Sequence, residues 1–211
     1  ANQTRWFRDM NPDGFADNPL GGQLNGMLRA RYWGQNGWEG LFTLHALRDV
    51  REGGQLGSSA PALPWTSSVA QQRTAFTSKT GWVNPDDPDM SVGIIVHGYT
   101  QSIDARLGPV PLGSRQFLTG MQRGGLAQVL VREGGTGWFQ TSGVSWSLDR
   151  YAMDWHHPGI AHDDAWVESV PGAFSEWTLE PSAQFTAVVG GRVDKNSVAG
   201  WQASPRVHLR Y

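Results

Sequence analysis

The densest group of chemically competent side chains runs from Asp154 to Asp164, where Asp154-Trp155-His156-His157-Pro158-Gly159-Ile160-Ala161-His162-Asp163-Asp164 collects three of the chain's 6 histidines. Imidazole nitrogens and carboxylate oxygens suit zinc, manganese or iron. Three such ligands with an open position would activate a water molecule for hydrolysis. The candidate ligands are His156, His162, Asp163 and Asp164. Adjacent His156 and His157 cannot point the same way in an extended chain, so they cannot serve one ion together. The same segment suits a pH-sensitive contact surface, because imidazole titrates near neutrality. The plainest account is a polar loop pinned by Trp155 and Trp166.

A second oxygen-rich group sits near the N-terminus, with Asp9, Asn11, Asp13 and Asp17 around Gly14. This stretch resembles the calcium loops of dockerins and thrombospondin type 3 repeats, in which side-chain oxygens surround the ion and a glycine makes the bend. The resemblance implies calcium held by Asp9, Asn11, Asp13 and Asp17. It spans Asp9 to Asp17 only. Leu20 stands where the last acidic ligand belongs, and Pro12 stiffens the loop. Asx side chains capping a turn give the competing reading.

Two shorter motifs touch acyl-transfer chemistry. Val96-His97-Gly98-Tyr99 resembles the oxyanion-side strand of α/β-hydrolases, and Gly143-Val144-Ser145-Trp146-Ser147 half-resembles their nucleophile elbow. The second lacks its final glycine, no helical pattern follows it, and the chain does not alternate β and α units. Packing of buried strands explains both motifs more simply. The tryptophans offer another surface: Trp65, Trp155 and Trp166 fall in or beside long polar stretches, where exposed rings stack on sugar faces or anchor a partner. With His156 and His157 they form the candidate ligand-binding set. Trp146 and Trp201 lie on apolar parities and read as core.

The elements that must position these groups are strands. From Leu179 to Val193 and again from Ala199 to Tyr211, odd positions are mostly apolar and even positions mostly polar, with Asp194-Lys195-Asn196-Ser197 between them. That period of two predicts a closing hairpin, which needs further strands to cover its apolar face. Leu24, Leu28, Ala30 and Tyr32 mark an earlier strand. Trp38 to Val50 is a strand that also admits a helical stripe. Residues 69–83 predict an edge strand, Met90 to Gln101 a strand buried on both sides, and Ser114 to Met121 a short helix. Leu126 to Arg132 and Trp138 to Met153 complete the set, with a bulge at Gly124-Gly125. Short turns at 34–37, 84–89, 134–137 and 194–197 alternate with long connections at 51–68, 102–113 and 154–172. This order places the long loops and both termini at one end of the strands, where a functional site is expected.

The expected architecture is therefore all-β: an irregular arm over 1–22, then one domain over 23–211. About eight antiparallel strands in meander order form a closed barrel or a two-sheet sandwich with long loops at one end. Composition agrees. The chain has 211 residues, 27 glycines and 11 tryptophans, and only 17% of its residues are charged, against ~25% in ordinary soluble domains. A net charge of -2 with two lysines gives no footprint for nucleic acid. The absence of cysteine excludes disulfide scaffolds and thiolate metal sites.

Three function classes accommodate these features. The first is a non-enzymatic surface or virion protein, outside the cell or on it, whose end loops contact a partner subunit, a copy of itself or a glycan. The second is a bacterial outer-membrane β-barrel: Val207-His208-Leu209-Arg210-Tyr211 resembles the closing strand of such proteins, which implies Arg29, Arg31, Arg206, His208 and Arg210 facing a lumen. Against it stand the weak alternation around Arg73 and Lys79 and the predicted crowding of long loops with both termini. The third is a metal-dependent hydrolase built on the loop from 154 to 164; the divalent metals to expect in the chain are zinc at that loop and calcium at Asp9 to Asp17.

Overall fold

Alternating apolar residues become strands wherever they occur, and several polar stretches do too. The computed structural model describes residues 2–4, 6, 8–56, 64–109, 116–157 and 159–211. Its strands are β1 (Asn2–Thr4), β2 (Leu20–Trp33), β3 (Trp38–Gly54), β4 (Trp65–Val83), β5 (Ser91–Pro109), β6 (Gln116–Gly135), β7 (Trp138–His157), β8 (Ile160–Ser182), β9 (Phe185–Asn196) and β10 (Gly200–Arg210). They form a single antiparallel meander sheet in the order β1 to β10. The all-β, hairpin-ordered expectation holds. In place of about eight strands in a closed barrel or a two-sheet sandwich, the described residues form ten in one sheet that does not close on itself.

Several expectations change with the pairing. The segment around Arg73 and Lys79 is a central strand flanked by β3 and β5, since both of its neighbours bond along its whole length. Residues 116–121 belong to β6 rather than to a helix; 114 and 115 lie outside the described residues. No bulge interrupts Gly124-Gly125, which pair in continuous register with Tyr99 and Gly98. The loop expected over 154–172 is the tip of a long hairpin, β7 running to His157 and β8 starting at Ile160. Of the loops expected over 51–68 and 102–113, residues 57–63 and 110–113 lie outside the described residues, and most of the remainder is strand. Within the arm over 1–22, Asn2 to Thr4 pair with β2 and Phe15 bridges Gln55.

One reversal changes the topology. Leu179 to Val193 is not one strand: Ser182 pairs with Phe185 across a tight turn, and β9 returns along β8. Tyr211 therefore ends beside the turns at 34–37, 84–90, 136–137 and 183–184, while the turn at 197–199 joins the long-connection end. The expected crowding of the C-terminus with the long loops is overturned.

The register sorts every strand onto two faces. Leu28, Leu44, Phe76, Gly98, Gly125, Leu148 and Ser169 form one row across seven strands, and the next row toward the short turns carries Phe42, Val96, Ala127 and Trp146. This is the apolar face. On the polar face, Arg73, Gln101, Gln122, Tyr151 and Trp166 make a corresponding row. Among the described residues the only buried apolar side chains are Ala105 and Ala187, so the sheet encloses no core. The strand expected to be buried on both sides, β5, exposes Ile94 and Val96. The molecule presents 14192 Å² of surface, whereas a compact monomer of 23.2 kDa would present ~9,700 Å².

Candidate functional site: the polar face of the sheet

Exposure on the two faces is inverted relative to a water-soluble sheet. Ser145 is 6% exposed, while its neighbours Val144 and Trp146, pointing the other way, are 59% and 53% exposed. Along β3 the alternation is the same: Phe42, Leu44 and Ala46 are exposed, whereas Thr43, His45 and Leu47 are partly covered. Polar side chains are sheltered and apolar ones bare. This is the pattern of a sheet curled toward its polar side.

That side is organised by glycines on the middle strand of a triplet. Tyr99 on β5 donates its hydroxyl to Asp149 on β7 at 2.5 Å, reaching over Gly124 of β6, where any Cβ would collide with the Asp149 carboxylate. Gln122 donates to the same hydroxyl at 2.5 Å, and Arg73 lies 4.9 Å from the Tyr99 ring centre while donating to Gln101 at 2.9 Å. The arrangement repeats on β7 to β9. Arg192 holds Asp194 through two nitrogens at 2.6 and 2.7 Å and donates to Ser145 at 2.7 Å across Gly172, where a Cβ would strike Asp194. Arg206 of β10 reaches Glu176 of β8 at 3.0 Å past Gly190. Each glycine removes the side chain that would separate two polar groups lying two strands apart. Charge-assisted bonds of this kind are the strong ones, and they hold the polar rows in fixed geometry.

The face also carries aromatic rings. Tyr151 and Trp166 stack at 4.6 Å with planes 13° apart, beside a hollow of ≈ 170 Å³ that Gln101 and Gln122 also line. A larger polar hollow of ≈ 610 Å³ lies among Gln128, Glu176, Arg192 and Arg206. Thr77 shares a 2.9 Å hydrogen bond with His97. Such a surface offers donors, acceptors and ring faces to a polar solute. The hydrolase motifs are split: Ser145 lies mid-strand in β7 under Arg192, and His97 serves Thr77 on β5.

The residues singled out by sequence fall as follows. Trp65, Trp155 and Trp166 all lie on the polar face toward the long-connection end, within strands rather than loops. Trp65 meets Phe15 edge-on at 6.4 Å, and Trp155 lies 6.1 Å from His157. His156 and Asp163 project to the apolar side, whereas His157, His162 and Asp164 project to the polar side, so the histidine and aspartate ligand set is divided by the sheet. No group of three or more His, Asp or Glu suited to a metal occurs among the described residues. In the N-terminal loop the Asx side chains cap backbone: Asp9 accepts from Gly14 at 2.9 Å, Asp13 from Phe15 at 2.8 Å, and Asp17 from Met10. Sequence reasoning missed Tyr99, Gln122, Asp149 and Arg192. The available signal was Gly124, Gly172 and Gly190 at inward parities of otherwise polar rows.

No protein-family model and no curated protein matches the chain.

Proposed function

We propose that the sheet is the wall of an outer-membrane-type β-barrel, with the apolar face toward lipid and the polar face toward a water-filled passage for small polar solutes. One observation carries this reading: the sheltered Ser145 between the bare Val144 and Trp146. A lipid-facing strand shows apolar residues outward and polar residues inward at a period of two. Dimensions agree. From Trp138 to Leu148 the apolar face of β7 runs ~33 Å at ~3.3 Å per residue, which a tilt of ~40° converts to the ~25 Å height of a lipid-facing band. Tyr32, Trp38, Trp82 and Trp138 gather on this face at the short-turn end, as an interfacial aromatic girdle would.

The topology supports the same reading, since four short turns share one end of the strands and the longer connections lie at the other, as in outer-membrane barrels. Three polar groups within the apolar face satisfy one another: Gln140, Ser142 and Ser175 are bonded together at 2.7 to 3.2 Å. Closure requires further strands to pair along the edge of β10. Within the passage, the stacked Tyr151 and Trp166 are suited to a sugar ring.

The test is extraction. The chain should partition with membranes, dissolve only in detergent, and keep a heat-resistant β signal there. A monodisperse, folded species in plain buffer would sink the proposal.

A further inference from the structure

Two arginines on the apolar face have no counter-charge. Arg123 of β6 and Arg150 of β7 are directly opposite in register, and neither takes part in a hydrogen bond or ion pair among the described residues. Like charges directly opposite, with Cβ atoms ~4.5–5.5 Å apart, destabilise a sheet unless an anion sits between them. Immediately toward the short-turn end lies a trough of ≈ 650 Å³ that the two arginines also line. Phe76, Val96, Trp146 and Leu148 wall it, the Phe76 ring lying over Gly98, and it is floored where Gly125 leaves bare backbone. The trough is apolar along its length and cationic at one end only.

We propose that this trough binds one phosphate-headed lipid, with an acyl chain over Gly125 beside the Phe76 ring and the phosphate between Arg123 and Arg150. The inference rests on the barrel-wall reading and adds an occupant to it. Depth supports the assignment, because the arginines sit at the border of the apolar band, where a lipid-face charge costs ~0–1 kcal/mol rather than the ~2–4 kcal/mol of the midplane. Two adjacent guanidiniums match a phosphate's oxygens better than a zwitterionic headgroup, whose own ammonium they would repel.

Trp146 in the trough wall supplies the readout. The protein is reconstituted in vesicles containing brominated phosphatidylglycerol or, at equal mole fraction, brominated phosphatidylcholine, and the Trp146 contribution is isolated by subtracting the Trp146→Phe variant. The expected result is quenching by the anionic lipid at roughly fivefold or more lower mole fraction. The preference should disappear in Arg123→Gln/Arg150→Gln and survive in Arg123→Lys/Arg150→Lys, with both variants verified as folded by circular dichroism. Equal quenching by both lipids would overturn the lipid site while leaving the wall intact. Absence of Trp146 quenching by either lipid would overturn the wall itself. Loss of the preference on adding inorganic phosphate would show a free-anion site instead and would also overturn the proposal.

Discussion

At the scale of single residues, the decisive contrast is between Val144 and Ser145. In water, a 59% exposed valine on a strand would tolerate almost any polar replacement, with an effect within about ±0.5 kcal/mol. On a lipid-facing wall the same position lies near the middle of the band between Trp138 and Leu148. Val144→Arg should therefore cost ~2–4 kcal/mol, read as a lower denaturation midpoint for protein refolded into phosphatidylcholine vesicles. A change smaller than the surface value would argue that Val144 meets water. The polar-face residues depend on glycines for their contacts. No propensity scale marks Gly124 or Gly172, because the property that matters is the missing side chain between Tyr99 and Asp149, or between Ser145 and Asp194. That relation exists only once the register of three strands is known.

At the scale of elements, the apolar core of each strand was legible and its ends were not. On the proposed wall reading, Leu24 to Tyr32 and Val207 to Leu209 alternate because one side would meet an apolar phase. Beyond that phase both sides of a strand would be wet and no alternation would be required, so Asp104, Arg106, Asp154 and His162 imitate loop composition while lying in β5, β7 and β8. The turn after β8 was hidden for a different reason. Leu179 pairs with Ala187, so odd residues stay on the apolar face through the reversal and the pattern continues without a break in phase; Pro181 was the sole cue. The wet ends have their own electrostatics. Asp154 and Asp163 are directly opposite at the tip of the β7–β8 hairpin, outside the apolar band, and hydrogen bonding to Asp163 and its charge raise the Asp154 carboxyl above its ordinary value. The folded tip thus holds a proton more tightly than the open chain does. Its extra stability is fully present below the ordinary value of 3.8 and is lost as pH rises through the raised one. Amide exchange at 151–166, corrected for intrinsic rates, should slow on acidification from neutral pH, and Asp154→Asn should abolish that dependence. An unchanged pH response in the variant would remove the carboxyl pair as its cause.

At the scale of the whole molecule, charge is sorted by face in a way that the net value of -2 conceals. Acidic residues concentrate in connections and strand ends, such as Asp9 to Asp17, Asp86 to Asp89 and Asp163 to Asp164. On the polar face within the band, the pairs Arg192–Asp194 and Arg206–Glu176 neutralise themselves. What remains is Arg29, Arg31, Arg73, Lys79, Arg132 and Arg210 against Glu39, Asp149, Glu168 and Glu180. The excess is concentrated on β2 and β4, where Arg31 and Lys79 share a row separated by Leu41, around a hollow of ≈ 480 Å³ in which Glu39 is the one carboxylate. A passage lined by one sign of charge with low-dielectric walls concentrates the opposite ion. A conducting assembly containing this sheet should therefore prefer anions, most strongly in dilute salt because exposed charges are screened above ~0.1 M. Reversal potentials in a potassium chloride gradient across a planar bilayer measure the preference directly. The sign should correspond to chloride in the wild type and move toward potassium in Arg31→Glu/Lys79→Glu, since each substitution replaces a positive charge with a negative one while leaving the apolar face untouched. A cation preference in the wild type would mean that β2 and β4 do not line the passage, and the charged rows would then have to be assigned to a surface that conducts nothing.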